Sequence, residues 1–298
     1  NSSTVHVTTK VVNSSNQQNH LSLVYTILDE KGNTVTKSKC EKMLSPHQVW
    51  NADQTTAAIK SPLLWSPDAP HLYTLKTLLY SSNGLIDSTS NQFGFRWFKF
   101  TADSGFFFNG KHLYFSGANV HQDQAGWGDG VTDSAAHRDV SMIKNCGMNF
   151  IRGSHYPHSP AFVKSCDELG IMFWSEAPYW STYGDNRDGW WTASGYPITA
   201  VDTAAFERSC LQQLKEMILI HRNSPSIIAW SMCNEPFFTE GKTLGHVHAL
   251  LKKMVALSHQ LDPTRPAGIG GCQRPTNEDR FDHIGDIAGY NGDGATIA

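Results

Sequence analysis

The chain has 298 residues, 40 % of them hydrophobic and 17 % charged, with nine Trp, nine Tyr and fifteen Phe and a formal net charge of −3. That balance excludes disordered and collagen-like classes. With no basic excess and no block of like charge, nucleic acid and anionic membrane surfaces are not expected partners, and no run approaches the roughly 18 apolar residues that a membrane helix needs.

The chain opens on Asn1, not Met, and reads as an excised or processed piece, which leaves the compartment open between a cytoplasmic and a periplasmic or secreted bacterial protein. Six cysteines, at 40, 146, 166, 210, 233 and 272, fall singly in apolar or helical patterns without a CxxC pair. They are expected as buried free thiols. Asn1-Ser-Ser and Asn13-Ser-Ser match the glycosylation sequon without further support.

Residues 1–97 read as all-β. Val5 to Val12 alternates, Leu21 to Leu28 alternates, and Asp29-Glu-Lys-Gly-Asn33 is a hairpin turn before Thr34-Val-Thr. Further strands are expected near 54–59, 72–80 and 84–93, and Lys60 to Pro70 is a proline-punctuated crossing loop. Short strands at this spacing in about a hundred residues predict an immunoglobulin-like sandwich.

From about residue 98 to 298 the rhythm becomes βα. Strands are expected at 112–118, 148–153, 170–175, 226–233, 266–271 and 285–290, and helices at 134–146, 160–169, 203–221 and 242–261. Asp133 and Ser159 are candidate N-caps, Pro160 suits a first helical turn, and Gly147 and Gly170 are candidate stops. Such alternation predicts a parallel sheet with helices outside it, here six strands of an eight-stranded (β/α)8 TIM barrel.

The chemistry gathers at the strand ends. Ile227 to Cys233 is apolar on both alternating faces, as a strand buried on two sides requires; it delivers Asn234-Glu235 and is stopped by Pro236. The C-terminal end of a barrel strand is where active sites form, so Glu235 is the candidate general acid. The second strand exits through Arg152 and His155, offering donors to a ligand's hydroxyls or to a catalytic carboxylate. The first ends in Asn119-Val-His121 and the third in Ser175-Glu176. Polar clusters at the same end of several strands predict a shared pocket. The loop Ala177 to Ala200, too aromatic for disorder, carries Tyr179, Trp180, Tyr183, Trp190, Trp191 and Tyr196. Flat rings suit the apolar faces of pyranoses, and Trp190 and Trp191 are singled out from it. His246 and His248, at i and i+2 on an expected helix, point to different sides and are not a metal pair.

Phe93-Gly-Phe-Arg96, Phe108-Asn-Gly-Lys111, Gly117-Ala-Asn-Val-His121, Ile151-Arg-Gly-Ser-His-Tyr-Pro157, Cys166-Asp-Glu-Leu-Gly170, Ser226 to Pro236 and Asp262-Pro-Thr-Arg-Pro266, in that order, resemble glycoside hydrolase family 2. That is the family of retaining β-galactosidases, β-glucuronidases and β-mannosidases. The resemblance implies a β-glycosidase, most simply of β-galactosidase type, with Glu235 as acid/base and Asn234 on the sugar 2-hydroxyl. Arg152, His155 and His121 would line the pocket beside Glu176 and Trp190. It also implies a β-glycoside partner, a possible homo-oligomer and no cofactor. The family's glutamate nucleophile lies on the seventh strand, and this chain reaches what looks like the sixth, Asp286 to Gly294, so the nucleophile is expected outside it and these residues alone are expected to be inactive. Magnesium-dependent members carry Glu-x-His where this chain has Trp180-Ser-Thr182, so no metal site is implied. The competing readings are another barrel glycosidase, such as an endoglucanase or mannanase, and a non-catalytic carbohydrate-binding fragment.

Overall fold

The computed structural model describes residues 2–180, 182–183, 193–239, 241–272 and 280–291. The chain divides into two compact units, Asn1–Tyr114 and Phe115–Ala298.

In the first unit the strands longer than two residues are β1 (His6–Val12), β2 (Asn19–Leu28), β3 (Thr34–Leu44), β4 (Val49–Thr55), β5 (Tyr73–Ser81), β6 (Gly84–Phe93), β7 (Phe98–Thr101), β8 (Gly105–Phe108) and β9 (Lys111–Leu113). An antiparallel sheet ordered β6-β5-β2-β3 faces the β1-β4 pair. Between them Val7 and Val11 of β1, Leu21, Leu23 and Tyr25 of β2 and Trp50 and Ala52 of β4 form one buried cluster. Each is an alternate residue of its strand, so the period-2 pattern becomes a two-layer sandwich. The Asp29–Asn33 turn is present, its Gly32 at φ 82°. The strand expected near 54–59 is instead β4, in register Val11↔Trp50 and Val7↔Gln54. That register buries Trp50 and Ala52 against the facing sheet, which a later start would not.

Asn13 is buried, and its side-chain nitrogen donates to the carbonyls of Gln17, Leu44 and Ser45 at 2.8, 3.1 and 3.0 Å. Its sequon is therefore spent on holding a turn.

The expected strand 112–118 is two elements. Asn109 and Gly110, both at positive φ, make a tight turn that folds Lys111–Leu113 back on β8 in register Phe108↔Lys111. The first barrel strand begins only at Gly117, where a Cβ would run into the carbonyl oxygen of Phe150. The β7-β8-β9 meander falls in the first unit.

The second unit runs β10 (Gly117–Val120), α1 (Asp133–Asn145), β11 (Phe150–Gly153), α2 (Pro160–Leu169), β12 (Met172–Glu176), α3 (Ala200–His221), β13 (Ile227–Asn234), α4 (Leu244–Leu261), β14 (Ala267–Cys272) and β15 (Ile287–Tyr290). The six strands form one parallel sheet in chain order. All eight residues of β13 are buried. Ser159 caps α2 through its hydroxyl, Pro160 opens the helix and Gly170 closes it at φ 70°. The cap of α1 is Thr132, whose hydroxyl accepts from Ala135 N at 3.3 Å, and not Asp133. Asp133 sits one residue inside, where its charge meets the positive end of the helix dipole. Helices α3 and α4 begin at 200 and 244, not 203 and 242, the second behind a 3₁₀ turn, Gly241–Thr243. Asp262 and Arg265 form a buried pair in which Arg265 also donates to the carbonyls of Arg222, Ser224 and Ile227, tying the entrance of β13 to that of β14. The six thiols are free; Cys166, Cys210, Cys233 and Cys272 are buried, whereas Cys40 is half-buried and Cys146 exposed.

Candidate active site

The C-terminal ends of β11, β12, β13 and β15 meet in one hydrogen-bonded network. At its base is Glu176, the last residue of β12, with no exposed surface. Its carboxylate accepts from Arg152 Nε and Nη2 at 3.0–3.1 Å, His155 Nδ1 at 2.7 Å, Ser231 Oγ at 2.8 Å and Trp174 Nε1 at 3.3 Å. A carboxylate so enclosed is stable only because a guanidinium and several donors replace water. Its oxygens face protein on every side and offer nothing to a ligand directly.

Arg152 passes this order onward. Its Nη2 donates to Asn234 Oδ1 at 2.7 Å and its Nη1 to Asn291 Oδ1 at 2.8 Å. A guanidinium can only donate, so both amide oxygens must face it. The Asn291 amide nitrogen then points the other way and donates to Glu235 Oε1 at 2.8 Å. His155, which gives Nδ1–H to Glu176, keeps Nε2 for other partners.

Glu235 itself stands at φ +48°, a left-handed conformation uncommon outside glycine, and its amide donates to Gly270 O at 3.1 Å. The turn at Glu235 is possible because β14 supplies glycines opposite. A Cβ on Gly271, at φ +65°, would lie 2.6 Å from Glu235 Cγ and 2.7 Å from Asn234 Oδ1; one on Gly270 would collide with Cys233 O and the Glu176 carboxylate. Burial pushes the Cys233 thiol well above its ordinary range, so this neighbour is inert.

His121 is brought in from β10: its ring lies 5.2 Å from that of His155, and its Nδ1 is 3.3 Å from the Tyr156 hydroxyl. Trp180 stacks beside His155 with ring centroids 6.2 Å apart and planes at 19°, and it remains about half exposed. Trp190 and Trp191 lie outside the described residues. The structure thus brings Asn234, Glu235, Arg152, His155, Glu176 and His121 together.

Sequence reasoning passed over Ser231, Trp174, Tyr156 and above all Asn291. Asn291 immediately follows β15, so the strand-end rule that picked out Glu235 could have picked it out too. Gly270-Gly271 was legible only as a run of small residues. Farther back, His158 and His221 are pushed down to about 4 by burial, and Asp167 is pushed up to about 6 by burial against the amide it accepts from, Ser226 N.

Comparison with known proteins fits this geometry. Residues 100–286 match the model of the glycosyl hydrolases family 2 TIM barrel domain, and residues 1–96 match the preceding glycosyl hydrolases family 2 domain. The chain belongs to glycosyl hydrolase family 2. A β-glucuronidase of Bacteroides fragilis is 34 % identical over 215 residues, covering 72 % of this chain and 29 % of that protein. The β-galactosidase BoGH2A of Bacteroides ovatus is 29 % identical over 320 residues, covering 96 % of this chain and 36 % of the relative. The crystal structure of a Bacteroides uniformis β-glucuronidase superposes with a TM-score of 0.87 at 30 % identity, over 97 % of this chain and 34 % of the other. The chain therefore spans about a third of the length of each of these three proteins.

Proposed function

We propose that this chain carries the acid/base half of a retaining β-glycosidase, with Glu235 as the proton donor. The observation that supports this best is the effort spent on one carboxyl: a left-handed backbone at Glu235, two glycines opposite it, and an amide donor on one of its oxygens. Strain of this kind concentrates at functional positions. In such a reaction a second carboxylate attacks the anomeric carbon, and the bonding pair of the scissile C–O bond leaves with the glycosidic oxygen, which takes the proton from Glu235. In the second step Glu235 takes a proton from water as the water oxygen displaces the enzyme carboxylate. Glu176 is too enclosed for the nucleophile's part; its contacts support a role in orienting Arg152 and His155. Asn234, whose oxygen is turned to Arg152, has its amide nitrogen left to meet a sugar hydroxyl, with His155, His121 and the exposed face of Trp180 around it.

Within this reading the substrate is a terminal β-galactoside. The β-glucuronidases among the relatives favour a β-glucuronide as the second reading. A full-length form of the protein, assayed on aryl β-galactosides and β-glucuronides with good and poor leaving groups, tests both. Glu235→Gln is expected to lose at least a hundredfold more activity on poor leaving groups than on activated ones, because a good leaving group departs without a proton. Equal losses would remove Glu235 from the acid's role.

A further inference from the structure

Asn291 is sequence-remote from everything it touches, 139 residues from Arg152 and 56 from Glu235, yet it stands between them. We infer that Asn291 is a positioning residue that settles which oxygen of Glu235 carries the transferable proton. This rests on the reading of Glu235 as acid/base.

The chain of contacts has a direction. Glu176, sealed from water, holds Arg152 by three hydrogen bonds. Arg152 Nη1 then donates to Asn291 Oδ1, and because a guanidinium has no acceptor, the Asn291 amide cannot flip without losing a charge-assisted bond. Its Nδ2 is therefore always the donor toward Glu235, where it meets Oε1 at 2.8 Å and Asn234 Oδ1 at 3.3 Å. A carboxyl oxygen that accepts a hydrogen bond from an amide is the poorer place for its own proton, since in a neutral carboxyl group the hydroxyl oxygen is a much weaker acceptor than the carbonyl oxygen. The proton resides on Oε2. In the first step Oε2–H passes to the departing glycosidic oxygen, leaving a carboxylate whose Oε1 is still bonded to Asn291; in the second, Oε2 recovers a proton from water. A side chain that only filled space beside Glu235 would have no such polarity.

The test uses two variants in the full-length protein, on whichever aryl β-glycoside it hydrolyses. Asn291→Asp keeps the size and the acceptor for Arg152 Nη1 but puts an oxygen where Glu235 needs a donor; Asn291→Ala removes both contacts. Asn291→Asp is expected to lose at least tenfold more kcat/KM on alkyl or poor-leaving-group substrates than on dinitrophenyl glycosides, with Asn291→Ala showing the same ratio to a smaller degree. Thermal melting of each variant reports whether it is folded, and the leaving-group ratio, unlike a total activity, is unmoved by a smaller folded fraction. Losses of equal size on both substrate classes, or none, in a protein whose Glu235→Gln variant is leaving-group selective, overturn the inference and leave the acid assignment standing. Should Glu235→Gln itself lose both classes equally, the acid reading fails first and this inference with it.

Discussion

Replacing Arg152 by Met should be among the most destabilising single changes in the barrel unit. The Glu176 carboxylate has no exposed surface, and three of its hydrogen bonds come from the guanidinium. Methionine fills most of the same volume, so the cavity contribution is small, and what remains is a buried anion left with His155, Ser231 and Trp174. Breaking a buried ion pair from one side costs about 3–5 kcal/mol. Adding Glu176→Gln removes the charge that was orphaned, and the double variant is expected to be more stable than Arg152→Met alone by at least about 1.5 kcal/mol, a coupling of the size seen between directly bonded groups. Arg138, exposed and paired with Asp139, is the control: Arg138→Met should cost less than about 0.5 kcal/mol. Chemical denaturation followed by tryptophan fluorescence suits the measurement, because Trp174 and Trp230 are buried in the barrel unit. A cost below about 1 kcal/mol for Arg152→Met, or a double variant no better than the single one, would falsify the view that Arg152 is what makes the burial of Glu176 tolerable.

Acid stability follows from the buried histidines. His158 and His221 titrate near 4 in the fold against 6.5 in the unfolded chain, so their contribution is complete above about pH 6.5 and is lost as the pH falls toward 4, by about 3 kcal/mol each at most. Asp167, raised to about 6, acts in the opposite sense: its contribution is present at low pH and lost as the pH rises through 6. Stability should therefore fall on net between pH 6.5 and 4, more steeply in Asp167→Asn and less steeply in His221→Gln; pH-dependent melts showing the reverse order would contradict the assignment. Gly271→Ala is expected to cost about 1–3 kcal/mol and to lower kcat/KM at least a hundredfold, since the new methyl displaces both Asn234 and Glu235; wild-type kinetics in that variant would show that the close approach is dispensable. Activity of the full-length protein should be indifferent to a chelator, because Trp180-Ser-Thr182 occupies the sequence positions at which the magnesium-dependent members that the chain resembles carry Glu-x-His; a loss with EDTA that magnesium restores would refute this.

What could be read along the chain was whatever short-range physics decides. Ile227 to Cys233 is apolar on both faces and meets a proline, so a strand buried on two sides ending at Asn234-Glu235 follows without any tertiary knowledge. Ser159, Pro160 and Gly170 bracket α2 for equally local reasons of capping and backbone freedom. Local signals misled where two elements competed for one stretch. The apolar run after residue 111 looked like a single barrel strand, but the Asn109-Gly110 turn drew its first part onto β8 and left Gly117 to start β10. The site's composition was visible because parallel strands in chain order deliver their ends to one rim, which makes Arg152, His155, Glu176 and Glu235 neighbours by topology alone. Their hierarchy was not. Glu176 read as a group facing the ligand, and the sheet turned it into a sealed anchor because Arg152, Ser231 and Trp174 arrive from three strands to replace its water. Asn291 took its place from a contact across 139 residues, and the left-handed turn at Glu235 from two glycines on the adjacent strand. Hydrogen-bond polarity and close backbone approach depend on coordinates in space, and no periodicity in the sequence encodes them.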